Sequence, residues 1–230
     1  MGSRPPVLVV SARSDEAGAM DARDVDIQLA DATLPGIIST PEPAAGVVVF
    51  AHGSGSSRLS PRNAAVAARL NQKGLATVLF DLLTSEEERD RNNVFDIPLL
   101  GRRLVGVCRW LGGRPVLSEL PVGIFGASTG AAAALVAAST ERDRVGAVVS
   151  RGGRPDLADA ALPLVAAPTL LIVGGADTVV IELNRQARAA MRGDHELVIV
   201  PGAGHLFEGV GELEQVADLA SDWFLTHLAP

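Results

Sequence analysis

The stretch Val122–Ala134 reads VGIFGASTGAAAA, a short apolar run that leads into the motif GASTG and then into small helix-forming residues. The apolar run predicts a buried strand and the small residues predict a helix, so the motif falls on the turn between them. Such a turn strains the backbone at its central serine and requires small residues two positions to either side. Gly126 and Gly130 meet that requirement, which makes Ser128 a candidate nucleophile.

Length, composition and charge indicate one globular domain. The chain has 230 residues, of which 47% are hydrophobic and 20% charged, and its net charge of −7 argues against nucleic acid as the main partner. No apolar run approaches the ~20 residues of a membrane span, and the patch Val7–Val10 is too short for a signal-peptide core. The single cysteine, Cys108, excludes an intrachain disulfide and is expected to pack in the core. We therefore predict a cytoplasmic protein with no membrane partner.

Beyond a polar N-terminal segment, strand and helix signals alternate along the chain. We expect residues 1–24 to form a flexible leader and residues 25–230 to form one domain. The domain is predicted to begin with an antiparallel pair of strands at Val25–Ala30 and Leu34–Thr40. Repeated β-α-β units predict an α/β fold with a mostly parallel central sheet flanked by helices. The segment Asp156–Ala167 has room for only one short helix, so no sizeable cap domain is expected. Further buried strands are predicted at Gly46–His52, Leu75–Asp81, Val122–Ala127, Val145–Arg151, Thr169–Gly174 and Glu196–Val200.

One insert is strongly charged: Thr84–Asn93, TSEEERDRNN, directly after a predicted strand. A solvated surface loop and a loop that overhangs the active-site edge of the sheet are both compatible with this composition.

A serine nucleophile needs a base, and the position of His205 suits that role. His205 follows a predicted strand in the glycine-rich loop PGAGH, which can bring the imidazole over the carboxyl edge of the sheet. His195 precedes the same strand and should lie at the opposite edge. His52 is expected to support its own loop, and His227, at the end of the last predicted helix, is expected at the surface.

The base in turn needs a carboxylate to orient it, and Asp177 emerges from the strand Thr169–Gly174 at the same edge. The chain order Ser128, Asp177, His205 is the order typical of an α/β-hydrolase triad. Asp177 could also cap the helix that follows it. Asp156 and Asp81 remain competing candidates for the acid.

The loop HGSGSS, residues 52–57, has the small residues that a backbone oxyanion hole requires. We assign the backbone N–H groups of Ser54 and Thr129 as the two donors. The loop lacks the Lys-Ser/Thr ending of a phosphate-binding P-loop.

Two arginines, Arg151 and Arg154, follow the strand Val145–Ser150 at the same edge of the sheet. Guanidinium groups bind carboxylates, so both are candidates for selecting an ester with a nearby anionic group. Pairing with Asp156 or simple solvent exposure is the alternative.

Together, HGSGSS (52–57), GASTG (126–130), GGAD (174–177) and PGAGHLF (201–207) resemble the α/β-hydrolase superfamily, and within it the small dienelactone-hydrolase-like serine hydrolases. The resemblance covers about residues 25–228 and implies a triad of Ser128, Asp177 and His205. At the turn between the predicted strand and helix (the nucleophile elbow), dienelactone hydrolases proper carry cysteine, whereas this chain has Ser128.

The resemblance therefore implies hydrolysis of carboxylic esters with small or short acyl groups, through an acyl-enzyme and without a metal or organic cofactor. The alternatives are a catalytically silent binding module of the same fold, and acyl transfer or perhydrolysis on the same triad.

Overall fold

The computed structural model describes residues 20–228, which form one eight-stranded sheet with helices on both faces. The strands are β1 Met20–Gln28, β2 Thr33–Pro41, β3 Gly46–Ala51, β4 Leu75–Phe80, β5 Val122–Ala127, β6 Val145–Arg151, β7 Thr169–Gly174 and β8 His195–Val200. The helices are α1 Pro61–Gln72, α2 Arg91–Val94, α3 Ile97–Leu111, α4 Thr129–Thr140, α5 Thr178–Ala190 and α6 Glu212–His227.

The strand order is β1-β2-β4-β3-β5-β6-β7-β8. β2 pairs antiparallel with both β1 and β4, and every other pairing is parallel. The predicted α/β fold with a mostly parallel sheet is confirmed. Every residue of β3, β4, β5 and β7 is buried, because helices cover both faces of the sheet there.

The N-terminal boundary differs from the prediction. β1 begins at Met20, so residues 20–24 belong to the sheet and not to a leader. They are ordered because the backbone pairing with β2 starts at Met20 opposite Pro41. The rest of the predicted leader, residues 1–19, lies outside the described residues.

Two hydrophobic clusters fill the space on either side of the sheet. One packs α3 and α4 against the sheet, and the other packs α1 and α6 against the opposite face. Helix starts are marked by side-chain caps: Ser60 Oγ accepts from Asn63 N–H at the start of α1, and an Asp96 carboxylate oxygen accepts from Leu99 N–H at the start of α3. No helix within residues 20–228 is long and apolar enough to cross a membrane.

Two connections bear on the site. The charged segment 84–93 folds into a 3₁₀ turn, Glu87–Arg89, and the short helix α2. The connection between β6 and β7 is a 3₁₀ segment, Pro155–Leu164, and builds no cap domain over the sheet edge.

Candidate active site

The turn between β5 and α4 holds Ser128 in a strained backbone conformation, with φ 51° and ψ −121°. The residues two positions to either side of it have to be glycine. A Cβ at Gly126 would lie 2.5 Å from Ala131 Cα, and one at Gly130 would lie 2.2 Å from the Ala51 carbonyl oxygen. Ser128 N–H donates to the Arg151 carbonyl at 3.2 Å, which ties the turn to β6. The structure thus places Ser128 at the sharp strand-to-helix turn that the motif predicted.

His205 and Asp177 form a hydrogen-bonded pair at the same edge of the sheet. His205 Nδ1 lies 2.6 Å from Asp177 Oδ2. Because a carboxylate only accepts, Nδ1 carries the hydrogen and Nε2 is left to accept a proton. A Cβ built on Gly152 would lie 3.6 Å from His205 Cε1, so the imidazole packs against Gly152. The preceding residue, Arg151, accepts the Ser128 N–H, which places this pair beside the elbow.

The competing acids are engaged elsewhere. Asp81 forms an ion pair with Arg58, and the Asp156 carboxylate accepts two hydrogen bonds from Arg154. Asp177 occupies the N-cap position of α5 but its side chain makes no cap hydrogen bond. Of the three candidates, Asp177 is the carboxylate that the fold brings to His205.

The other histidines have separate surroundings. His52 Nε2 accepts the Leu82 N–H at 3.1 Å while its Nδ1 lies 2.9 Å from the Gly53 carbonyl, so the ring braces the loop after β3. His195 begins β8 and therefore stands at the opposite edge of the sheet from His205. His227 stacks on Trp223 in the last turn of α6, with ring centroids 4.2 Å apart.

The two N–H groups assigned as oxyanion donors, those of Ser54 and Thr129, lie close together, but the Ser54 N–H already donates a hydrogen bond within the protein. Thr129 is the first residue of α4, so its N–H has no partner within the helix. The Ser54 N–H, however, donates to Thr129 Oγ1 at 3.0 Å. The expectation of an open Ser54 N–H is therefore not met, because the side chain of Thr129 reaches the loop first. A Cβ on Gly53 would lie 2.9 Å from Ser128 Cβ, which shows how closely this loop approaches the serine.

The segment after β4 forms a wall beside this loop. A cleft of about 380 Å³ is lined by Ser54 and Gly55 on one side and by Glu88, Arg91, Val94 and Phe95 on the other. The charged insert therefore borders the loop after β3, while Ser128 and His205 are not among the residues that line this cleft. A larger groove of about 820 Å³ lies over α3 and contains none of the predicted site residues.

The wall is anchored to α3 by a buried arginine. Arg103 is 2% exposed, and its Nη2 lies 2.5 Å from Glu87 Oε1 while its Nη1 lies 2.5 Å from Asp31 Oδ1. Glu87 also accepts from the backbone and the hydroxyl of Thr84. Burial alone would raise the pKa of Glu87, but the hydrogen bonds from Thr84 and the charge of Arg103 outweigh it and lower that pKa.

The two arginines at the carboxyl end of β6, Arg151 and Arg154, have different environments. Arg154 is paired with Asp156 at 2.8–2.9 Å, so its guanidinium is already neutralised and we do not assign it to substrate. Arg151 is 8% exposed, and its Nη2 lies 3.4 Å from Asn63 Oδ1. Burial, with a further contribution from the charge of Arg62, lowers the pKa of Arg151 to about 10.

Asn63 and Arg62 were not predicted from the sequence. Both lie at the start of α1, far from Arg151 along the chain, and no motif marks them.

The single cysteine lies apart from the candidate triad, and the described residues form no cluster of metal ligands. Within residues 20–228, no group of three or more His, Cys, Asp or Glu side chains is placed to hold a metal ion. Cys108 lies on the buried face of α3, and burial raises the pKa of its thiol to about 12.

The mostly parallel sheet and the serine elbow at its carboxyl edge place the protein among the α/β hydrolases. A model of the dienelactone hydrolase family matches residues 34–220, and the chain belongs to that family. The crystal structure of a dienelactone hydrolase from Anabaena variabilis is 54% identical, with a TM-score of 0.89 over 91% of this chain and 99% of that one.

Two other comparisons limit what can be transferred to this chain. Est1E of Butyrivibrio proteoclasticus shares the fold, with a TM-score of 0.75 and 16% identity over 90% of this chain and 99% of that one. A Mycobacterium tuberculosis (strain H37Rv) protein that carries the provisional name phosphoribosyl transferase is 59% identical over 93% of this chain. The chain spans only 50% of that relative's length, so the relative's name describes a longer protein.

Proposed function

We propose that this protein is a serine hydrolase that cleaves carboxylic esters through Ser128, His205 and Asp177. The observation that carries the proposal is the 2.6 Å hydrogen bond between His205 Nδ1 and Asp177 Oδ2 beside the strained turn at Ser128. The dienelactone hydrolase family and the shared fold support a hydrolase. Serine at the elbow, where dienelactone hydrolases proper have cysteine, favours carboxylic esters in general over dienelactone.

The proposed mechanism gives each of these groups one role. Ser128 Oγ attacks the ester carbonyl while His205 Nε2 accepts the serine proton, and Asp177 stabilises the imidazolium that forms. The tetrahedral oxyanion accepts a hydrogen bond from the Thr129 N–H at the start of α4. The imidazolium then gives its proton to the departing alcohol, and an acyl-enzyme remains. Water, deprotonated by His205, attacks this acyl-enzyme and releases the acid and free Ser128.

The cleft beside the oxyanion loop supports short to medium substituents on the ester. Its volume of about 380 Å³ lies at the lower end of small-molecule sites, and no cap closes over it. Val94 and Phe95 contribute apolar surface to it, and Phe95 is half exposed. A nitrophenyl ester series from acetate to octanoate tests this proposal, since we expect kcat/KM to peak at the short end.

Selection for an anionic ester rests on Arg151. Its buried guanidinium has no carboxylate within 4.0 Å among residues 20–228, in contrast to Arg154. A substrate carboxylate could therefore compensate a charge that the fold leaves uncompensated.

The decisive experiment is labelling with a fluorophosphonate probe, which reacts with activated serines. We expect stoichiometric labelling of the wild type and none of Ser128→Ala, with the two proteins matched by circular dichroism and thermal unfolding. A folded wild-type protein that resists the probe and cleaves no nitrophenyl ester would contradict the proposal and favour a silent binding module.

A further inference from the structure

The bond between the oxyanion loop and α4 leaves one hydrogen uncommitted. Thr129 Oγ1 accepts the Ser54 N–H at 3.0 Å, and a hydroxyl that accepts a hydrogen bond still has its own hydrogen to donate. No acceptor for that hydrogen is found among residues 20–228. The hydroxyl therefore stands as a donor next to the serine nucleophile.

Thr129 lies between the serine and the loop after β3. It follows Ser128 directly, is 5% exposed, and lines a small cavity with Gly53, Ser54 and apolar side chains such as Leu82. A Cβ on Gly53 would lie 2.9 Å from Ser128 Cβ, so the same loop also reaches the serine. As the first residue of α4, Thr129 also lies at the positive end of the helix dipole. Hydrogen bonds to a developing negative charge are strongest where water is excluded, which suits a nearly buried hydroxyl.

We propose that the Thr129 hydroxyl is an oxyanion donor, so that both direct donors, the N–H and the Oγ1–H, come from this one residue. The inference rests on the proposed function. Thr129 keeps its proton throughout the reaction and donates only a hydrogen bond. The Ser54 N–H does not contact the oxyanion directly. It donates to Thr129 Oγ1, which polarises the O–H bond and strengthens the hydrogen bond that the hydroxyl donates to the oxyanion.

This arrangement needs no rearrangement when the substrate arrives. For the Ser54 N–H to donate directly to the oxyanion, its bond to Thr129 Oγ1 would first have to break or be shared. A hydroxyl that accepts from Ser54 and donates to the oxyanion keeps every bond in place. Such preorganisation is what makes an oxyanion hole effective.

The test compares Thr129→Val with Thr129→Ser. Valine matches the shape of threonine without the hydroxyl, and serine keeps the hydroxyl without the methyl group. With nitrophenyl acetate we expect kcat of the valine variant to fall roughly 100-fold, as for loss of one oxyanion donor, while KM changes little. We expect the serine variant to stay within about 3-fold of wild type, because it retains the donor.

A second readout separates catalysis from packing. A phenylboronic acid forms a tetrahedral adduct with an active serine, and we expect its affinity to fall in Thr129→Val by about the factor lost from kcat. If valine disturbs folding, as judged by thermal unfolding, Thr129→Ala against Thr129→Ser isolates the hydroxyl in the same way.

An unchanged or raised kcat in a folded Thr129→Val would overturn the inference, and so would an equal loss in the serine variant. Labelling of the wild type by fluorophosphonate distinguishes a failure of the Thr129 role from a failure of the proposed hydrolase function. If the wild type is labelled and the valine variant behaves like it, only the role of Thr129 fails. If the wild type is not labelled, the proposed function fails as well.

Discussion

At the scale of single residues, the site depends on backbone space as much as on reactive side chains. A non-glycine residue in the conformation of Ser128 costs on the order of 1–3 kcal/mol, which the surrounding structure must offset. Gly126 and Gly130 make this possible because the backbone of α4 and of β3 occupies the positions where their Cβ atoms would lie. The strain exposes the serine at the tip of the turn.

Substitution of Gly130 by alanine tests this dependence. The added Cβ would lie 2.2 Å from the Ala51 carbonyl oxygen, so β3 and α4 would have to separate. We expect the free energy of unfolding to fall by about 3 kcal/mol or more, and fluorophosphonate labelling to be lost. Gly113→Ala is the matched control, since its Cβ would meet nothing closer than 3.6 Å. Urea denaturation compares the two; similar losses would contradict the steric explanation.

Substitution of Asp177 by asparagine tests the acid of the triad. The amide keeps the size of the side chain but removes the charge that stabilises the imidazolium, so we expect kcat to fall about 10²–10⁴-fold with little change in stability. Asp156→Asn is the control, because that carboxylate is paired with Arg154. Steady-state kinetics with nitrophenyl acetate measures both. An active Asp177→Asn together with an inactive Asp156→Asn would reverse the assignment.

Substitution of Arg151 by methionine tests anion selection. Methionine has a similar length and fits a buried position, so we expect stability to be maintained or raised when the uncompensated charge is removed. We expect the ratio of kcat/KM for a carboxylate-bearing ester over its neutral analogue to fall about 10-fold, the effect of roughly 1.4 kcal/mol. Arg154→Met should leave that ratio unchanged. An unchanged ratio in Arg151→Met removes Arg151 from substrate recognition.

At the level of elements, the wall beside the cleft is tied to α3 despite its charged composition. The 3₁₀ turn Glu87–Arg89 and α2 carry few apolar residues, and their position is set by Arg103, a side chain of α3 that is 2% exposed. Glu87 joins this arginine to Thr84 at the start of the segment. The geometry of the cleft therefore depends on one ion pair behind it.

Substitution of Glu87 by glutamine should loosen the wall. The pKa of Glu87 is lowered by its hydrogen bonds and by Arg103, so its carboxylate stabilises the fold above pH 4.5 and this stabilisation is lost as the pH falls below that value. We expect Glu87→Gln to cost about 1–2 kcal/mol at pH 7 and to lose less stability than the wild type as the pH falls below 4.5. Denaturant titrations at several pH values measure this.

Glu141→Gln is the control for that experiment. Glu141, directly after α4, pairs with Arg109, which lies on α3 as Arg103 does, and the arginine of that pair is 66% exposed, so we expect a change below about 1 kcal/mol. Nitrophenyl octanoate should lose more kcat/KM than the acetate in Glu87→Gln, because it extends further along the wall. An equal loss of kcat/KM for both esters would show that the Glu87–Arg103 ion pair does not set the shape of the cleft.

At the scale of the whole molecule, the site is assembled from four strands at one edge of the sheet. The oxyanion loop follows β3, Ser128 follows β5, Asp177 follows β7 and His205 follows β8. Parallel strands bring their carboxyl ends to the same edge, so residues 150 positions apart in the sequence meet there.

Much of the fold could be predicted because its signals are local. Runs of buried apolar residues mark the central strands, and Gly126 and Gly130 mark the elbow, since both patterns depend on neighbouring residues. The start of β1 differs from the prediction because residues 20–24, MDARD, include three charged residues and belong to an edge strand, so the sequence shows no apolar run there. The two short helical segments at residues 87–94 were missed for a similar reason, because long-range ion pairs position them.

The α/β fold and the candidate residues Ser128, Asp177 and His205 can be inferred from the chain, because motif, spacing and chain order are read directly along it. The partner of each polar group is visible only in the folded molecule: Asp177 with His205, Arg154 with Asp156, and the Ser54 N–H with Thr129 Oγ1. These pairings cannot be read from the chain because a hydrogen bond depends on distances of a few tenths of an ångström between residues that are often far apart in sequence.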